Sequence, residues 1–120
     1  MDLITAIKKK DIELIKSIIG SEGGLDYKDR NGMTPLMIAV DCESASIVQL
    51  LIDAKAKVDE TDKYGQTALM LAAGRGNMQI VKLLLAANAN TKLVSKSRAT
   101  AYDFAFENMR REVAQLLKNK

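Results

Sequence analysis

Few residues in this chain could do covalent or acid–base chemistry, and their spacing argues against an active centre. Cys42 is the only cysteine, and no histidine occurs among the 120 residues. That removes internal disulfides, histidine-based triads and histidine-containing zinc sites. A thiol with no histidine to activate it reads as unreactive, exposed beside the positions equivalent to it, Lys9, Arg75 and Asn108. Gly74-Arg75-Gly76 has the residue types of a phosphate-cradling loop. It lacks the glycine spacing of a nucleotide-binding fingerprint and follows no strand pattern, so it reads as a turn between antiparallel helices. Asp26, Asp29, Asp59, Glu60 and Asp62 are turn-forming carboxylates in which no pair stands apart as acid and base. No catalytic residue, cofactor or metal ligand is expected, and the chain does not read as an enzyme.

The elements that must position these residues repeat. Gly65 answers Gly32, Thr67 answers Thr34, Leu69 answers Leu36 and Ala72 answers Ala39, each 33 residues apart. Ile80-Val81 answers Ile47-Val48, and Leu83-Leu84 answers Leu50-Leu51. The same step back places Leu14-Ile15 on Ile47-Val48, and the same step forward places Thr100, Ala105, Val113 and Leu116-Leu117 in register. A fixed period of this length marks a stacked-repeat protein. The expected division is 1–28, 29–61, 62–94 and 95–120 within one domain.

Composition agrees with a stack whose core is a continuous seam between neighbours. Apolar residues make up 48% and charged residues 28%, and no apolar run approaches the ~20 residues of a membrane-spanning helix. The N-terminus, Met1 to Lys10, lacks the pattern of a secretory signal, so a cytoplasmic location is expected. The net charge of +3 is mild and says little about partners.

Each copy reads as a short helix, a longer helix and an extended turn. Thr34-Pro35 supplies a capping hydroxyl followed by proline at the first helical position, where no N–H is needed. Ala39, Ala72 and Ala105 at one repeated position imply close helix packing, and Ile47, Leu50 and Leu51 form one apolar stripe. Asp29-Arg30-Asn31-Gly32 and Asp62-Lys63-Tyr64-Gly65 carry turn chemistry. Met37 and Met70 read as core, whereas Met33 and Met109 fall at variable surface positions where a thioether can contact a partner.

This pattern, Asp-x-x-Gly-x-Thr-Pro-Leu, then alanines, then Ile/Val-Val-x-Leu-Leu, resembles the ankyrin repeat over essentially the whole chain. The resemblance implies an all-α repeat solenoid of helix-turn-helix units with projecting β-hairpin loops, and a concave face made by the hairpins and first helices. Two departures bear on stability. Met37, Met70 and Asp103 stand where that family has histidine, so the threonine–histidine hydrogen bond is expected to be absent. Glu22, Lys55 and Asn88 stand where it has glycine after the second helix, and a lysine or glutamate is strained there by roughly 1 kcal/mol.

The ends read as caps. Lys118 takes the place of Leu85, Arg110 and Arg111 replace Asn77-Met78, Arg98 replaces the turn glycine, and Ser17 replaces Leu50 and Leu83. A terminal repeat needs a polar outer face, so four copies are expected to make the complete domain.

Framework positions repeat because packing fixes them, so identity must reside in outward positions that vary. At the hairpins these are Arg30, Asn31, Met33, Lys63, Tyr64, Gln66, Lys96 and Ser97; on the first-helix side they are Asp41, Cys42, Arg75, Glu107 and Asn108. The resemblance implies that these are partner-contacting positions, with Tyr64 and Arg75 as anchors because tyrosine and arginine dominate interface energies. Gly74 is expected to leave the floor open beside Arg75. Arg30, Lys63 and Lys96 share one hairpin position and form a basic ridge, continued by Lys8-Lys9-Lys10, with Asp29, Asp62, Asp41 and Glu43 set against it. The expected function is a monomeric, non-catalytic protein–protein interaction module or scaffold, with an acidic or mixed-charge partner. Nucleic acid or an anionic surface on the ridge, or service as a regulatory domain of a larger enzyme, are the alternatives.

Overall fold

Every copy begins with a side chain that accepts a hydrogen bond from the backbone three residues ahead. In the computed structural model, which describes residues 2–21 and 24–120, Thr34, Thr67 and Thr100 each accept from the N–H of Met37, Met70 and Asp103 at 3.2 Å. Asp2 does the same for Thr5 at 2.8 Å. That bond holds the Asp2 carboxyl below its ordinary value, so the cap is complete above the ordinary aspartate range and is lost as pH falls through the lowered value. These caps start the first helix of each pair: α1 (Leu3–Lys8), α3 (Pro35–Asp41), α5 (Ala68–Arg75) and α7 (Ala101–Glu107). The second helices are α2 (Ile12–Ser21), α4 (Ala45–Asp53), α6 (Met78–Ala86) and α8 (Arg111–Leu117).

Two of the three positions that lack histidine bond back to the capping threonine in another way. The Asp103 carboxylate accepts the Thr100 N–H at 3.0 Å, and the Met70 sulfur lies 3.4 Å from the Thr67 nitrogen. Both close the reciprocal half of a capping box.

Each first helix stops in a left-handed residue, and here the register is again 33: Lys10, Glu43, Gly76 and Met109 all have positive φ. The N–H of each left-handed residue bonds the carbonyl three residues back, and the next N–H reaches five residues back, as from Ser44 to Ala39 and Asn77 to Ala72. This is the Schellman closure, which satisfies carbonyls orphaned at a helix end. The residue after it caps the second helix: Asp11, Ser44 and Asn77 accept from Leu14, Ile47 and Ile80. Arg110 fills that place without capping α8. Its Nε instead donates to the Gly74 carbonyl at 3.1 Å.

The pairs stack in order, first helix on first helix throughout, with α4 on α6 and α6 on α8. The long axis of 39 Å matches three interlayer steps of about 9 Å plus one helix diameter of about 10 Å. Ala6, Ala39, Ala72 and Ala105 are all 0% exposed and form the column along which the first helices touch. Of the expected stripe Ile47 and Leu51 are fully buried and Leu50 half-buried; Val48, Ile80, Val81 and Leu84 are also fully buried, as are Met37 and Met70. No strand occurs among the described residues; the hairpin loops are turns.

The second helices α4 and α6 also end in Schellman closures, on Lys55 at φ +75° and Asn88 at φ +66°. Glu22 lies outside the described residues. A side chain bearing Cβ costs about 1 kcal/mol in this conformation, and asparagine tolerates it better than lysine. Lys55→Gly is therefore expected to raise the thermal midpoint by a few degrees in a circular dichroism melt. Asn88→Gly should gain less.

Candidate functional site

The first two hairpin loops owe their shape to one carboxylate each, and the last to a serine hydroxyl. Asp29 Oδ1 accepts the N–H groups of Asn31 and Met33 at 2.9 Å. Asp62 Oδ1 accepts those of Tyr64 and Gln66 at 2.9 Å. In the last copy Ser95 Oγ accepts from Ala99 at 3.3 Å and lies 2.8 Å from the Ser97 hydroxyl. Each loop is closed by a second pair of backbone bonds, Asp62 N–H to the Gln66 carbonyl and Gly65 N–H to the Asp62 carbonyl, both at 3.0 Å.

Successive hairpins are then joined edge to edge. The Lys63 N–H donates to the Asn31 carbonyl and the Lys96 N–H to the Tyr64 carbonyl, both at 3.0 Å. The approach is so close that a Cβ on Gly32 would sit 2.8 Å from the Lys63 nitrogen, and one on Gly65 2.9 Å from the Lys96 nitrogen. These glycines are required by space as well as by their positive φ. Arg98, at φ +67°, holds the same place in the last hairpin, where no further hairpin of the chain approaches.

This ribbon presents Arg30, Asn31, Lys63, Tyr64, Lys96 and Ser97 as exposed side chains, with Gln66 half-buried. The Lys63 ammonium lies 5.2 Å from the centre of the Tyr64 ring, a cation–π pair at the tip. Ion pairs among the described residues join Lys28 to Glu60 and Arg75 to Asp41 and Glu43, so none engages Arg30, Lys63 or Lys96. Met33 is half-buried against the core instead of standing at the surface as expected.

The remaining candidates form a second row, at the far ends of the first helices. Arg75 reaches back one repeat, with its guanidinium 3.2 Å from Asp41 and 3.9 Å from Glu43. Glu107 and Asn108 are exposed, and the Asn108 amide donates to the Phe104 carbonyl at 2.7 Å. Cys42 is half-buried at the end of α3, against the core, where an exposed thiol was expected. Gly74 is not an open floor: a Cβ there would touch the Asn108 amide and the Phe104 ring of the next repeat. Lys8-Lys9-Lys10 belongs to this second row, because it is equivalent to Asp41-Cys42-Glu43 and not to the hairpin tips. Tyr64 and Arg75 are thus at opposite ends of α5, whose eight residues span about 12 Å at 1.5 Å each.

Gly74-Arg75-Gly76 closes α5 as the expected interhelical turn, with Gly76 at φ +72°. Of the turn carboxylates, Asp59 accepts the Asn90 N–H at 2.9 Å, while Glu60 pairs with Lys28 at 3.5 Å. No group of histidine, cysteine, aspartate or glutamate among the described residues is arranged to hold a metal ion.

A family model for ankyrin repeats (3 copies) matches the chain over residues 3–95 and 44–120. The chain belongs to the ankyrin repeat family. Ankyrin repeats generally serve as protein–protein interaction modules, and proteins built from them are typically non-catalytic. No curated protein matches the chain. No helix among the described residues is long and apolar enough to cross a membrane. Met109, 74% exposed, stands at the surface as expected; what sequence reasoning missed is its neighbour Phe106, 65% exposed at the end of the stack. The signal was present: Tyr102 and Phe106 fall on Leu69 and Ala73, positions that a following repeat covers.

The pinning carboxylate gives a direct test of this architecture. Asp62 is 9% exposed, and Asp62→Ala leaves two N–H groups without their acceptor, at a cost of about 2 kcal/mol in denaturant unfolding. Asp62→Ser should cost less, because Ser95 already fills that role.

Proposed function

We propose that residues 1–120 form one non-catalytic domain that binds a protein partner of acidic or mixed charge. Contact is made through the hairpin tips and the adjoining face of the first helices. The observation that carries this reading is the hairpin ribbon. Its backbone is held by the Asp29 and Asp62 carboxylates and by bonds between hairpins, while its outward side chains differ from copy to copy apart from one shared basic position. Little side-chain or loop ordering remains for a partner to impose, which favours affinity. The cations of Arg30, Lys63 and Lys96, unpaired among the described residues, line one edge and favour carboxylates opposite. Tyr64 is 56% exposed in the middle of that edge and is the proposed anchor.

The second row is proposed as the other half of the footprint. Its charges alternate, Lys9, Asp41, Glu43, Arg75, Glu107, and Arg75 is already held by two carboxylates. That row therefore selects a mixed-charge surface more than an acidic one. Asp41, Cys42, Glu107 and Asn108 serve there as its polar rim, and Asn31, Met33, Gln66 and Ser97 flank the tips. A cytoplasmic, monomeric protein is the setting this reading assumes.

The test is affinity capture with three baits: wild type, Lys63→Glu/Tyr64→Ala for the tips, and Arg75→Glu for the second row. All three must first show equal thermal melts, because Arg75→Glu places a third carboxylate beside Asp41 and Glu43. The expected result is a protein held by wild type, lost by the tip variant and weakened by Arg75→Glu. Equal retention by all three would move the site to another surface. Nucleic acid in the wild-type eluate, with affinity falling steeply as salt rises, would replace a protein partner by a polyanion on the ridge.

A further inference from the structure

We propose that the end face formed by α7 and α8 is a second docking surface, and that its occupant is an amphipathic helix with an acidic border. The inference is independent of the hairpin reading and rests on the repeat register. Leu36, Val40 and Val48 are at most 1% exposed, because α5 and α6 pack over them. Leu69, Ala73 and Val81 are equally buried beneath α7 and α8. The next set in the series is Tyr102, Phe106 and Ala114. Three times within the chain this surface accepts helices, since Leu3, Ile7 and Ile15 are its first copy and are also buried. The fourth instance continues the same interface with nothing of the chain upon it.

The fourth instance departs from the polar cap expected at the end of a stack. On α8 the expectation holds, since Arg111, Gln115 and Lys118 are exposed. On α7 and the turn after it the surface is apolar. Phe106 is 65% and Met109 74% exposed, and the Tyr102 and Phe106 rings stack at 5.9 Å between centroids. Between the two helices runs a groove of about 490 Å³, floored by Tyr102, Phe106, Met109 and Ala114. Isolated exposed apolar residues need no explanation, but a contiguous apolar groove with a polar rim marks a binding surface.

Charge selects the occupant. Arg110, Arg111 and Lys118 border the groove, and none of its lining residues is a carboxylate. Two copies meeting face to face would oppose those cations. A copy stacked head to tail would offer its first repeat, where Ser17 stands in the place of Leu50 and Leu83, a hydroxyl where the middle repeats bring leucine. A helix with leucine-like residues at i, i+3, i+4 and i+7 and carboxylates on both flanks satisfies floor and rim together.

The experiment is fluorescence anisotropy with a synthetic peptide of about 18 residues, long enough to be helical, carrying that leucine stripe flanked by glutamates and a neutral dye. It is titrated with the full chain, with Phe106→Glu, with Arg111→Glu and with the hairpin variant Tyr64→Ala. Exposed positions are altered, so melts of all four should agree. Saturable binding is expected to the full chain and to Tyr64→Ala, weakened at least about tenfold by either end-face variant. The same peptide with lysine for glutamate should also bind at least about tenfold less tightly. No saturable binding by the full chain, equal binding by Phe106→Glu, or equal binding of the lysine peptide would overturn the proposal. So would a dimer seen by light scattering that Phe106→Glu dissociates, which would make a second copy the occupant.

Discussion

Each helix pair in this protein leaves an apolar face that it cannot cover itself, and only the next pair closes it. That requirement organises the rest. It demands that successive pairs repeat the same geometry, so the apolar positions must recur at a constant interval. It demands close approach along the first helices, where Ala6, Ala39, Ala72 and Ala105 leave room for one backbone beside another. It also brings successive hairpins within hydrogen-bonding distance, where Gly32 and Gly65 are the only side chains small enough. Stability in such an array is a sum of unit and neighbour terms, so a fault in any one layer weakens the layers on either side.

Backbone conformation carries the same period as the core. Left-handed residues recur at the end of the first helices, at the hairpin tips and at the end of α4 and α6. Glycine fills some of these places and lysine, glutamate, arginine, methionine or asparagine fills others. The fold therefore imposes the conformation, through Schellman bonds and hairpin closure, and residue type only adjusts its cost. The substitutions are not placed at random. Gly32 and Gly65 are retained where a neighbour's backbone would collide with a Cβ, whereas Arg98 occurs where no further hairpin follows in the chain. Steric exclusion between repeats is a stronger constraint than the torsional penalty within one.

The surface follows from this division. Residues that hold the frame point inward or bond the backbone, which frees the tips to vary. Asp62 illustrates the separation: its carboxylate is buried and spent on two N–H groups, while its neighbours Lys63 and Tyr64 project freely. The two candidate rows are carried by the same first helices and must move together. The rows are separated by more than the length of α5, about 12 Å, because the tips lie in the loop ahead of Ala68.

Much of this was legible in the residue order. The period, the capping threonines, the alanine column, the turn carboxylates and the strained Lys55 all depend on residues close in sequence, or on a repeat that can be counted. The chain alone also determined that no histidine chemistry or internal disulfide is possible. Other features came only from the packing of one repeat on another. Cys42 and Met33 occupy positions that look variable, yet the core reaches them and leaves them half-buried. Gly74 looked like an opening, but Phe104 and Asn108 from the following repeat lie against it. Arg75 looked free, and its partners Asp41 and Glu43 are a full repeat away. Where histidine is missing, Asp103 and Met70 accept from the capping threonine, through geometry that residue type does not reveal. The apolar end face was written in the register, but its exposure was not, because exposure depends on whether another layer follows. Local order determines which unit forms; only the contact between units decides which of its surfaces remain.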